Sequence, residues 1–201
     1  MTMRQPENRV LAVSGSPRRK GNSDILLQEI AAGVKQQGTP VRSLNLTQVQ
    51  FQGCIGCEKC RKTKICTGLI DGMSTLYPDI IAAKGLVLVS PTHNYNITSW
   101  MKAFIDRLYC FYNFTENCRH NWSSQLADQG RKAVIVAICE QENKEDMGFT
   151  LEAMRAPLVA LGYEIVEELA IFNIFAKGGV REHSKVTAQA VELGKKLAQS
   201  L

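Results

Sequence analysis

Five short apolar runs, each followed by a stretch with helical periodicity, constrain the architecture of this chain more than any other feature. The runs are residues 9–14 (RVLAVS), 41–46 (VRSLNL), 85–90 (GLVLVS), 133–138 (AVIVAI) and 164–171. The second alternates in polarity; the fourth is apolar throughout, as expected of a strand covered on both faces. The intervening helices are predicted over residues 23–37, 73–83, 98–108, 147–161 and 181–199. Leu26, Leu27, Ile30, Ala31 and Val34 form one face of the first, and Val186, Ala190, Leu193 and Leu197 form a stripe on the last. Thr98 or Ser99 is the natural cap of the third. Pro157 lies inside the fourth, where it predicts a bend or an interruption. Such βα alternation implies a doubly wound α/β sheet of five parallel strands with helices on both faces, and a ligand site at the strands' C-terminal ends. We expect one domain over residues 1–201, with a cysteine-rich loop at about 47–72 and an irregular polar insertion at about 110–130.

Composition narrows the function classes. The chain is 45% hydrophobic and 21% charged, in the range of globular proteins. Its net charge of +5 comes from scattered basic residues, densest at Arg18-Arg19-Lys20 and Arg61-Lys62-Thr63-Lys64. No helix-turn-helix, RNP or zinc-finger pattern accompanies them, so no nucleic-acid partner is expected. No stretch approaches the ~18 apolar residues of a membrane span, and residues 1–9 are polar, unlike a signal peptide. The expectation is a cytoplasmic protein, where disulfides are disfavoured.

Four of the seven cysteines, Cys54, Cys57, Cys60 and Cys66, form a C-x2-C-x2-C-x5-C run. Three thiolates at two-residue intervals can curl round one small object, and a fourth just downstream can close the cage. Iron–sulfur clusters use this compact spacing. Structural zinc sites usually draw on two well-separated knuckles, and free or redox-active thiols are a third possibility. The neighbouring lysines and arginines favour thiolate in any of these roles.

Two loops at strand ends carry further chemistry. After the first strand comes Ser14-Gly15-Ser16-Pro17-Arg18-Arg19-Lys20-Gly21-Asn22-Ser23. Glycines, hydroxyls and a basic residue at a helix N-terminus suit a phosphate, which the helix dipole and backbone N–H groups attract. Neither the P-loop nor the dinucleotide fingerprint is present, and a tight turn followed by an Asn or Ser cap would explain part of the composition. After the third strand, Pro91, Thr92, His93, Asn94, Tyr95 and Asn96 could hold a planar heteroaromatic ring or simply shape turns. His93, His120 and His183 form no evident triad with Cys or Ser. Cys110, Cys118 and Cys139 read as buried or incidental thiols, and Lys102, Asp106 and Arg107 as ion-pair or loop-tethering groups.

GSPRRKGNS, SPTHNYNITSWMKAFIDR and CIGCEKC-x5-C, taken together, resemble the flavodoxin-like NAD(P)H-dependent FMN reductase superfamily, and the cysteine run resembles its iron–sulfur flavoprotein branch. The similarity covers about residues 8–175. It implies strand order 2-1-3-4-5 and an FMN-dependent oxidoreductase or electron-transfer flavoprotein. The implied FMN site comprises Ser14, Ser16, Arg18, Gly21, Asn22 and Ser23 for the phosphate, residues 91–96 under the ring, and Cys139 and Glu140 approaching from the other side. His93 stands where the family often has Tyr. The four cysteines match the ligands of a [4Fe-4S] cluster, a one-electron centre beside a cofactor that also handles electron pairs. NAD(P)H is the implied reductant, a redox protein or small molecule the implied acceptor, and a homodimer or homotetramer the implied assembly. A cluster-free NAD(P)H-dependent FMN or quinone reductase and a non-enzymatic flavodoxin-like carrier are the alternatives.

Overall fold

The structure is a computed structural model, and it describes residues 5–115 and 120–201. Its elements in chain order are β1 (Glu7–Ser14), α1 (Asn22–Gln36), β2 (Val41–Asn45), α2 (Cys60–Thr63), α3 (Met73–Ala82), β3 (Ala83–Pro91), α4 (Ser99–Arg107), β4 (Tyr112–Phe114), β5 (Trp122–Ser124), β6 (Lys132–Ile138), α5 (Lys144–Met147), α6 (Thr150–Ala160), β7 (Glu164–Ile171) and α7 (Ser184–Gln199).

The central sheet has the order β2-β1-β3-β6-β7, and all of its pairings are parallel. It is the expected doubly wound arrangement with one correction to the numbering. The insertion around residues 110–130 is not wholly irregular: β4 and β5 pair there as a separate antiparallel ribbon, so the last two strands of the main sheet are the sixth and seventh of the chain. The ribbon eluded the periodicity because each strand has only three residues, too few for an alternation to register.

Strand alternation divides the apolar residues between two cores. Leu11, Val13, Leu86, Leu88, Ala133 and Ile135 pack with Leu76 and Ile80 of α3, Phe104 of α4 and Met154 and Leu158 of α6. Val10, Ala12, Val87, Val89, Val134 and Val136 face the other way, onto Leu26, Ile30 and Val34 of α1 and Ala190, Leu193 and Leu197 of α7. A period of two puts successive side chains on opposite faces, which is why strands covered on both sides are apolar throughout.

Helices α1 and α7 approach through a reciprocal pair of glycines. A Cβ on Gly33 would lie 1.9 Å from the Val191 carbonyl oxygen, and one on Gly194 would lie 2.0 Å from that of Ile30. Helix α6 runs through Pro157 without interruption. The break predicted there falls earlier, at Gly148, whose φ of +56° separates α5 from α6. Burial of Met154 and Leu158 on either side of Pro157 holds the helix despite the lost backbone hydrogen bond. Likewise, the last helix starts at Ser184, after a single 3-10 turn over Gly179–Glu182.

Candidate functional site

At the C-terminal end of the sheet, the connections leaving β1 and β3 diverge and open a crevice, the switch-point position of a doubly wound fold. A cavity of about 510 Å³ occupies it. Three predicted segments form its walls: Ser16, Arg18, Asn22 and Ser23 from the first loop; Pro91, Thr92, His93, Asn94 and Tyr95 from the second; Cys139 and Glu140 after β6. Of the other predicted residues, Ser14, Gly21 and Asn96 are not in the lining. A fourth wall, Ile174, Phe175 and Lys177, comes from the loop after β7 and was not anticipated, since a loop following the last strand carries no motif of its own.

The first loop leads into the N-terminus of α1. Gly21 occupies the N-cap of α1 and no side chain caps that helix, so the Asn or Ser cap that was the alternative account of this loop is not formed. Ser16 and Ser23 are buried there. A partly buried network holds the loop from below: the Asp24 carboxylate accepts from Ser14 Oγ, the Lys20 N–H and Asn45 Nδ2, each at 2.7 Å. Asn45 Nδ2 also donates to the Ser16 carbonyl at 3.0 Å. Asn45 was missed because it ends β2, far away in sequence; a buried polar residue closing an alternating strand was the available signal. Arg18 and Asn22 engage the fourth wall. Arg18 donates to the Phe175 carbonyl at 3.3 Å, its guanidinium 5.0 Å from that residue's ring centroid. Asn22 donates to the Ala176 carbonyl at 3.0 Å and accepts from the Val180 N–H at 3.2 Å.

The second loop is a tight turn. His93 and Asn96 exchange backbone hydrogen bonds at 2.7 and 3.1 Å, while Asn94 and Tyr95 between them take φ of +51° and +63°. Two successive left-handed residues define a type I′ turn. Left-handed backbone is unusual for a bulky Tyr, and it is braced: the Phe149 N–H donates to the Tyr95 carbonyl at 2.8 Å, where a Cβ on Gly148 would approach that oxygen to 2.3 Å. Thr98 caps α4, accepting from the Met101 N–H at 3.1 Å, and donates to the Gly15 carbonyl at 2.7 Å, tying the two loops together.

The cysteine run forms a second cavity of about 150 Å³. Cys54, Cys57, Cys60 and Cys66 all line it, together with Arg107 and Tyr109. The cysteines are unpaired. Gly56 and Glu58 adopt left-handed backbone between the cysteines, as does Lys64 at the end of α2. A Cβ on Gly68 would fall 2.3 Å from Cys57 Sγ, so the wall opposite that sulfur is shaped by a missing side chain. Burial, followed by the neighbouring Cys66, Cys54 and Cys57 thiols, raises the Cys60 thiol above its ordinary value. Among the described residues, no three Cys, His or carboxylate groups converge tightly enough for a single metal ion. Four thiols nonetheless line one shared cavity, and thiolate is the donor type that iron–sulfur clusters use.

Cys110 and Cys139 are buried, as expected. Burial and the nearby Cys60 and Cys66 push the Cys110 thiol up to about 12, which makes it a poor nucleophile. Cys118 lies outside the described residues. His93, His120 and His183 are exposed. Arg107 is indeed a loop tether, as detailed below, and Lys102 pairs with Asp106 at 2.5 Å on the surface of α4.

A family model described as NADPH-dependent FMN reductase matches residues 8–142, a span holding the cysteine run and the loops after β1 and β3. The chain belongs to that family. Its curated relatives include an iron–sulfur flavoprotein of Methanocaldococcus jannaschii, 28% identical over 99 residues, which cover 49% of this chain and 51% of that protein. Another, from Archaeoglobus fulgidus, is 31% identical over 98 residues, 49% of each. The chain thus spans about half the length of the curated relatives it matches. An azoreductase from Bacillus anthracis superimposes with a TM-score of 0.68 at 15% identity, covering 96% of this chain and 99% of that one, which shows a shared fold. The resemblance carried by the three motifs agrees with these findings. No helix among the described residues is long and apolar enough to cross a membrane.

Proposed function

We propose that this chain is an FMN-dependent oxidoreductase that binds its flavin in the cavity at the β1/β3 crevice and couples it to a [4Fe-4S] cluster held by Cys54, Cys57, Cys60 and Cys66. The observation that carries the reading is the meeting, in one cavity, of an uncapped helix N-terminus with buried serines and a braced type I′ turn. One suits a phosphate and the other the edge of a flat ring. Family membership and the names of the curated relatives support the same assignment.

FMN, when bound, supplies two-electron and one-electron chemistry, so the protein's task is to bind and orient it. Ser16, Ser23 and the first N–H groups of α1 would receive the phosphate, with Arg18 supplying positive charge at the cavity wall. Residues 91–96 would support the ring on one side and Cys139 and Glu140 on the other. The four thiols would each bind one iron of the cluster, supplying a one-electron exit or entry. NAD(P)H as reductant, a redox protein or small molecule as acceptor, and a homodimer or homotetramer as the working assembly complete the proposal. The exposed Ile55, Ile65 and Ile70 on the cysteine loop offer apolar surface for such an assembly.

Anaerobic purification with FMN, iron and sulfide analysis tests this reading. About one FMN and close to four iron and four sulfide per chain are expected. Flavin without iron under strictly anaerobic handling would leave a cluster-free reductase; iron without flavin would overturn the cavity assignment.

A further inference from the structure

The cysteine loop is closed at its base by one side chain. Arg107, the last residue of α4, is buried and lines the cysteine cavity. Its Nη1 donates to the Gln52 carbonyl at 2.9 Å and to Asp71 Oδ2 at 2.7 Å, and Nη2 donates to Asp71 Oδ1 at 3.0 Å and to the Leu69 carbonyl at 3.5 Å. Nε reaches Tyr77 Oη at 3.3 Å. Gln52 precedes Cys54 by two residues, and Leu69 follows Cys66 by three. One guanidinium therefore holds both limbs of the loop. Asp71 completes the clasp by accepting from the Gln52 N–H at 3.0 Å and the Met73 N–H at 3.1 Å.

Only a planar fork with several fixed donors makes this set of contacts; a lysine ammonium could serve part of it. The ion pair also sets the local charge. Arg107 contributes a positive charge at the cavity wall, and Asp71, bound bidentately behind it, neutralises that charge in a poorly hydrated setting. Reducing a cluster adds an electron, so an unbalanced positive charge there favours the reduced state.

We propose that Arg107, clasped by Asp71, is the positioning residue of the cysteine cage, governing both how firmly the cluster is retained and its reduction potential. This rests on the cluster reading above. It makes α4 a shared element: Thr98 at its N-terminus ties the flavin loops, and Arg107 at its C-terminus ties the cysteine loop, about 14 Å along the helix axis.

The test compares the anaerobically loaded wild type with Arg107→Lys, Asp71→Asn and the double variant Arg107→Gln/Asp71→Asn. Four quantities are measured: FMN per chain, iron per chain, rate of iron loss to a chelator, and cluster midpoint potential by redox titration. FMN content reports that the fold is intact, since the substitutions lie outside the flavin cavity. Arg107→Lys is expected to lose iron about 10–100-fold faster, the usual effect of removing a second layer of support around metal ligands, with its potential little changed. Asp71→Asn leaves the arginine charge unbalanced and should move the potential in the positive direction. The double variant, again without net charge, should return toward the wild-type potential while still losing iron quickly. Iron retention in Arg107→Lys equal to wild type, or a potential in Asp71→Asn that does not rise, would overturn the inference. A wild type that binds FMN but no iron overturns the cluster reading itself, and this inference with it.

Discussion

Arg18 sits where two demands meet. It lines the cavity, yet it also donates to the Phe175 carbonyl and lies against that ring. If its charge serves a phosphate, Arg18→Ala removes a charge-assisted contact of about 1.5–3 kcal/mol, raising the FMN Kd roughly tenfold to a hundredfold. Fluorescence titration of the apoprotein reads this directly; an unchanged Kd would assign Arg18 to holding the fourth wall instead. Asp71 gives a pH signature. Burial alone would raise its carboxyl, but the hydrogen bonds and charge of Arg107, with the Gln52 and Met73 N–H groups, hold it below the usual carboxylate range. A depressed folded pKa stabilises fully above the unfolded value of about 3.9 and is lost as pH falls through the folded value. Denaturant midpoints should therefore drop on acidification below about pH 4, and more steeply in the wild type than in Asp71→Asn.

At the scale of elements, the α1–α7 contact sets two effects against each other. Alanine is a better helix former than glycine by about 1 kcal/mol, so Gly194→Ala would stabilise an isolated α7. In the fold its methyl would stand 2.0 Å from the Ile30 carbonyl oxygen, and overpacking of this kind costs about 1–3 kcal/mol or more. With backbone as the obstacle, packing wins, and the urea midpoint of Gly194→Ala should fall; a rise would mean that the two helices separate at little cost. The main strands and helices were legible because their apolar residues repeat at two and at 3.6. The ribbon β4–β5 was not, and neither was the survival of α6 through Pro157, which depends on burial of that helix against the sheet.

For the whole molecule, the apolar side chains on the cysteine loop carry the proposed assembly. Ile70 is 91% exposed in the single chain, and covering such a side chain contributes about 1.5–3 kcal/mol. Sedimentation velocity should show a dimer or tetramer, and Ile70→Asp should shift it toward monomer; a wild type monomeric at micromolar concentration would set this part of the proposal aside. By itself the sequence determined the layered α/β architecture, both strand-end loops and the four clustered cysteines, because each is written in local periodicity or local spacing. The tertiary structure decided what those residues stand beside. It brought the loop after β7 over the first loop, set Asn45 beneath the loop after β1, and placed Arg107 and Asp71, 36 residues apart, across the base of the cysteine loop. Those relations are hydrogen bonds and packing between segments distant in the chain, which no periodicity within either segment records.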